Sequence, residues 1–135
     1  MEQILVIIIG ALAAAPFILY CRKNYSPLGE LNFYSISLFL AAVIYVLFLI
    51  NGSTTQWLFI ELGGVLFFGV IAWFSQKKKL ATLLALGWGL HVGWDTLLHN
   101  SPATSFVPNH YEELCIGFDL VMAGYIFFLL KNRLK

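Results

Sequence analysis

With 135 residues, 60% of them hydrophobic and only 11% charged, and a mean hydropathy of +0.83, the chain is too apolar for a water-soluble domain of this size. Each bilayer crossing takes about 20 residues, so the expectation is a single transmembrane helical domain over residues 1–135. No internal repeat, low-complexity tract or nucleic-acid motif occurs, so nucleic acid is not an expected partner. The net charge of +1 hides an uneven distribution along the chain.

Five uninterrupted apolar runs predict helices over about 4–20, 33–50, 57–75, 80–98 and 114–130, and none reads as a strand. The fold class expected is therefore an all-α membrane protein, a bundle of five transmembrane helices. Asn32, Ser53 and Asn109 each precede an apolar run, and Ser53 with Gln56 and Asn109 with Glu112 have capping-box spacing.

All eight basic residues fall on one side of this arrangement: Arg22 and Lys23, Lys77 to Lys79, and Lys131, Arg133 and Lys135. The positive-inside rule makes that side cytoplasmic and places the N-terminus outside. A cleaved signal peptide is the rival reading of the first run, but it lacks a positive leading segment, and its removal would put the basic clusters outside. Cys21 and Cys115 then lie near opposite faces and are too far apart to pair, given the limit of about 7 Å between Cα atoms.

Six of the seven acidic residues fall on the outer side or in the outer half, with Glu30 alone inside, and His91, His99 and His110 join that outer set. At a helix rise of about 1.5 Å per residue, His91 lies about 16 Å from Leu80, near the midplane, with Asp95 about 22 Å and His99 about 28 Å from it. Asp119 is about 10 Å below Glu112 and Glu61 about 6 Å below Trp57, so three carboxylates occupy neighbouring depths on three helices. His91, Asp95 and His99 recur every four residues and form one stripe, with Trp88 a turn further in. Gly89 and Gly93 form a GxxxG on the opposite face, which predicts a helix packed tightly on its glycines. On the fifth segment the face of Asp119 carries Glu112, Cys115 and Ala123, and Glu113 points away.

A charge at the bilayer centre costs roughly 2.5–3.5 kcal/mol, so three unpaired carboxylates would approach the whole stability of a fold, about 5–15 kcal/mol. With no outer Lys or Arg, the compensating positive charge must be a proton, an imidazolium, a metal ion or a cationic ligand. One divalent ion would take His91 with Asp95, or Asp95 with His99, and complete its shell from Glu61 or Asp119. Such nitrogen and oxygen ligands suit zinc, iron or manganese alike. The bland readings are an interhelical hydrogen-bond pair for His91 and Asp95, protonated carboxyls for Glu61 and Asp119, a cap for Glu112, and a small buried side chain for Cys115. His99 and His110 read equally as interfacial residues, and Trp57 and Tyr111 as interface anchors.

The stretches GWGLHVGWDTLLHN and HYEELCIGFDLVMAGY resemble a family of small bacterial membrane proteins known only as a domain of unknown function. That resemblance covers the last third of the chain, and its most specific parts are the HxxxD and GFD helices. It implies a bacterial inner membrane and a site shared among His91, Asp95, His99 and Asp119, with no activity attached. The His and acid four apart are also similar to the emopamil-binding sterol isomerases, but Asp95 stands where those have Glu and little else matches. Alkaline ceramidases are similar in having a His and Asp zinc site, but their catalytic Ser has no counterpart on the outer half of these helices.

Together these features point to a membrane-embedded enzyme, with hydrolysis of a lipid or other apolar small molecule as the expected chemistry. His91 and Asp95 would serve as metal ligands or as an acid/base pair, with Asp119 and Glu61 completing the shell. The alternatives are a cation or proton transporter, with a homo-oligomer left open, and a non-catalytic binding or structural subunit. The inner halves read as free of ionisable side chains, which favours a one-sided pocket over a conduction path.

Overall fold

A computed structural model describes residues 1–99 and 104–135. The described residues are helical, with no strand. α1 is Glu2–Asn24, α2 Pro27–Phe48, α3 Thr55–Lys78, α4 Ala81–Trp94 and α5 Tyr111–Tyr125. α4 runs on as a wider π-helical turn, Asp95–His99, and α5 as another, Ile126–Leu130, before a last turn Lys131–Arg133. Four of the five are long and apolar enough to cross a membrane; α4, with 14 residues before its π turn, is the exception.

The bundle is apolar all round. Leu12, Leu19, Phe59, Leu66, Trp73 and Phe128 are each more than half exposed, on α1, α3 and the end of α5, while Glu30, Glu61, His91, Asp95 and Asp119 are buried. A chain that turns its hydrophobic side chains outward and its acids inward reverses the water-soluble pattern.

The neighbours run α1, α5, α4, α3, α2, and α2 also touches α4. α1 against α5 is the most extensive crossing. Its closeness comes from two glycines: a Cβ on Gly10 would run into the Leu114 carbonyl, and one on Gly117 into the Ile7 carbonyl, so the backbones touch directly. This corrects the expectation for Gly89 and Gly93, which face open space. Their spacing permits a tight helix pair, but no neighbour fills that face.

Three helix starts also differ from expectation. α2 begins at Pro27, not Asn32, because Pro suits the first helical position and the Ser26 hydroxyl accepts from the Gly29 N–H at 3.2 Å. This draws Glu30 into the helix. α3 is capped at Thr54 and α5 at His110, neither with a side-chain cap bond, so the Ser53/Gln56 and Asn109/Glu112 boxes do not form. His110 takes a left-handed φ of 64°, and its ring lies 3.5 Å from Glu2 and 3.8 Å from Glu113. Glu113 points away from the Asp119 face, as expected, and is buried beside His110, while Glu112 is half-buried.

The ends carrying the basic residues are tied together: Gln76 Nε2 donates to the Asn32 carbonyl at 3.1 Å, and Arg133 pairs with Glu30. Glu30 also accepts from Tyr125 Oη at 2.7 Å and lies 3.5 Å from Tyr34 Oη. The expectation that no ionisable group occupies the inner half is therefore overturned. The proline and glycine of Pro27–Leu28–Gly29 read as a loop in sequence, yet the helix they open carries an acid inward.

Candidate functional site: a buried chain of imidazoles and carboxylates

Glu61 sits on the α3 face that continues through Gly64, Phe68 and Ala72. His91 comes from the last turn of α4, Asp95 and His99 from the two ends of the π turn, and Asp119 from α5. The wider π turn spans Asp95 to His99, and it sets the angle at which the two side chains leave the helix. Such turns recur at functional sites.

The five side chains form one line. His91 Nδ1 lies 2.8 Å from Asp119 Oδ2 and 3.5 Å from Asp95 Oδ2. His99 Nδ1 lies 3.7 Å from Asp95 Oδ1, and His99 Nε2 lies 2.7 Å from Glu61 Oε1. The order is Asp119, His91, Asp95, His99, Glu61, with each outer carboxylate bonded to an imidazole and Asp95 between the two rings. All five are at most 2% exposed. Among the described residues, the one Lys or Arg paired with an acid is Arg133, at the opposite end.

Asp95 is unlike the two outer acids. Its contacts of 3.5 and 3.7 Å are too long for hydrogen bonds, and both of its oxygens lack a partner. His91 Nε2 and His99 Nδ1 are likewise buried and unpartnered. A buried polar atom left without a bond is unfavourable by about 1–3 kcal/mol, and more when charged. Four such atoms on three adjoining side chains leave bonding capacity that the described residues do not fill.

His91, Asp95 and Asp119 each offer a ligand atom within 4.8 Å of the others, a group able to hold one metal ion. His99 and Glu61 stand beside this trio, not within it. The set passes a chemical test for a divalent ion: two carboxylates balance its charge, and imidazole and carboxylate ligands suit zinc, iron or manganese. His99 and Glu61 would then orient Asp95 from the other side.

Aromatic rings close the site. Tyr45 stacks on the His99 ring with centroids 4.0 Å apart and planes 6° off parallel, and Phe68 meets His91 edge-on at 4.9 Å. Trp57 lies 6.2 Å from His99 and packs on Phe106, and Tyr111 meets Tyr45 at 5.8 Å, so both interface anchors also roof the site. Thr104 Oγ1 donates to the His99 carbonyl at 2.6 Å. Tyr45 escaped the sequence reading because a tyrosine in an apolar run looks like packing. Its signal was depth: it lies near the outer end of its run, as Glu61 and His99 do.

The backbones of α2 and α5 stand apart among the described residues and meet through side chains at the two ends, Tyr111 on Tyr45 and Phe48 and Tyr125 on Glu30, and a cavity of 330 Å³ lies between them. Asp119, Cys115 and Trp88 line it, together with Phe17, Leu40 and Ile44. Cys115 and Cys21 are both free thiols. Glu112 and His110 are not among the groups of the line.

The arrangement defines a helical protein with a buried His and carboxylate cluster beside an apolar cavity. The chain belongs to DUF6010, a family of unknown function, which matches over residues 2–132. No curated protein and no solved structure matches it.

Proposed function

We propose that the protein is a five-span membrane enzyme of the bacterial inner membrane, with its N-terminus outside, its C-terminus cytoplasmic, and a metal-dependent hydrolase site in its outer half acting on a lipid or other apolar substrate. The outward apolar surface supports insertion, and the gathering of basic residues at one end supports the orientation. The observation that carries the chemistry is Asp95, a fully buried carboxylate with two unpartnered oxygens, gathered with His91 and Asp119 around a common point.

A divalent ion there would supply a nucleophilic water near neutral pH and polarise a substrate carbonyl. His91, Asp95 and Asp119 would hold it. In ester hydrolysis the water oxygen would bond to the carbonyl carbon while its proton passes to the unpartnered Nδ1 of His99, whose Nε2 Glu61 holds at 2.7 Å. The bond to the alcohol oxygen then breaks, and that oxygen takes the proton, giving a carboxylic acid and an alcohol. The rings of Tyr45, Phe68 and Trp57 keep bulk water out.

Elemental analysis of the purified protein against His91→Ala tests the reading. About one zinc, iron or manganese per chain in the wild type, lost in the variant, supports it. Equal metal content in both, or none in either after expression with each metal, overturns it.

A proton or cation transporter is the second reading, favoured by the alternation of acid and imidazole from Asp119 to Glu61. It requires a path past Leu38, Leu84 and Met122, all fully buried and apolar. A pH-sensitive dye inside proteoliposomes distinguishes it, because a hydrolase leaves an imposed proton gradient intact.

A further inference from the structure

We infer that the substrate is a single-chain amphiphile with an uncharged ester head, taken from the bilayer through the cleft between α2 and α5. This rests on the hydrolase reading and names what that site accepts.

The cleft has a lipid-like wall and one polar end. Leu40 and Leu114, at its mouth, are 50% and 37% exposed, while Trp88 and Asp119, which also line it, are 2% exposed. Ser37 lines it as well, but its hydroxyl is already donated to the Phe33 carbonyl at 3.0 Å. The polar groups left are the Tyr111 hydroxyl, the Cys115 thiol, the Asp119 carboxylate bonded to His91, and the indole N–H of Trp88, which has no partner. A buried N–H donor without an acceptor, beside the proposed hydrolytic centre, fits a carbonyl oxygen.

The head group follows from charge. No Lys or Arg lines the cleft and one carboxylate does, so a phosphate or free carboxylate would find no cationic side chain to pair with and would meet the like charge of Asp119. Size limits the chain count: 330 Å³ is at the low end of the roughly 300–1,000 Å³ of ligand pockets, which suits one chain and not two. The larger groove of 590 Å³ between α1 and α5 has Arg22 among its lining but none of the site residues, so it does not deliver substrate to His91.

Trp88 reports occupancy. Replacing Trp57, Trp73 and Trp94 by Phe leaves it as the one indole among the four in the chain. Bromine quenches indole only near contact, so bulk lipid does not reach a side chain this buried, but a chain in the cleft does. The protein in phosphatidylcholine vesicles is titrated with the methyl ester of dibrominated stearic acid, and separately with the free acid.

The ester should quench Trp88 saturably, the acid at least tenfold more weakly, and Ala41→Phe or Ile44→Phe should weaken the ester at least tenfold while metal content stays at the wild-type level. Two filling variants are used so that one that fails to insert does not decide the result. Absence of saturable quenching, quenching unchanged by both variants, or tighter binding of the acid would overturn the inference. Quenching as expected in a protein that holds no metal and leaves the ester intact would sink the hydrolase reading and leave the cleft's binding role standing. Metal and hydrolysis without quenching would do the reverse.

Discussion

Asp95→Asn separates chemistry from architecture, because the amide keeps the size of the side chain and removes its charge. The carboxylate lies 3.5 Å from one imidazole and 3.7 Å from the other, and neither of its oxygens is hydrogen-bonded. At an effective dielectric of about 20, a unit charge about 4 Å away contributes roughly 4 kcal/mol, and a divalent ion at that distance about twice as much. Screening and relaxation reduce this. Even outer-shell partners of a metal are worth about 10–100-fold in affinity, so loss of a direct carboxylate should weaken metal binding by at least about 100-fold.

The fold should respond the other way. A carboxylate held unpaired in a bilayer is unfavourable by roughly 2.5–3.5 kcal/mol, and the amide both removes that charge and offers two N–H donors to a neighbourhood rich in acceptors. The metal-free variant should therefore melt at or above the metal-free wild type, by roughly 9–12 °C if the whole term is recovered. Metal titration and thermal melting in the same detergent measure both. A variant that binds metal within threefold of the wild type would refute the assignment of Asp95 as a ligand. One that melts more than about 10 °C lower would show that Asp95 holds the bundle together.

Gly117→Ala should destabilise the protein by about 2 kcal/mol or more, since its Cβ meets the Ile7 backbone, whereas Gly89→Ala should be neutral or stabilising by up to about 1 kcal/mol; melting temperatures compare them. Tyr45→Phe removes a buried hydroxyl that has no partner and should change stability by less than about 1 kcal/mol, while Tyr45→Ala loses the stack on His99 and should cost about 3–5 kcal/mol. With the native cysteines removed, cysteines placed at Ser53 and Ser105 should react with an impermeant thiol reagent added outside intact cells, and one at Lys78 should not; the inverse pattern would reverse the membrane orientation.

The helical class and the approximate helices were legible because apolar run length alone separates spans from connections. The His91, Asp95 and His99 stripe was legible because four-residue spacing stacks side chains on one face, and Asp119 and Glu61 because depth follows from the helix rise. What could not be read was which helix faces which. Gly10 and Gly117 meet in pairs made by tertiary packing, and nothing local distinguishes them from Gly89 and Gly93, whose motif spacing misled. Glu30 was misplaced because Pro27 and Gly29 carry turn chemistry, and the same proline opens a helix when Ser26 caps it. The cleft between α2 and α5 was equally out of reach, because it opens between end contacts that only tertiary packing sets.

The two buried polar clusters of this bundle differ in a way that bears on function. Around Glu30, acid and base balance: Arg133 and Tyr125 bond its carboxylate, and Tyr34 stands beside it. Such a cluster is complete as it stands and fastens the start of α2 to the end of α5. Around Asp95 the balance fails, with three carboxylates against two imidazoles, no Lys or Arg paired with any of them among the described residues, and four unpartnered atoms on Asp95 and the two rings. A sequence selected for stability alone would replace Asp95 by Leu or Asn at little or no loss, because an apolar or neutral core is at least as stable as an incomplete ionic one. Satisfaction of hydrogen bonds, more than the presence of charge, therefore distinguishes the two clusters, and it is the reason the proposed chemistry is assigned to Asp95 and not to Glu30.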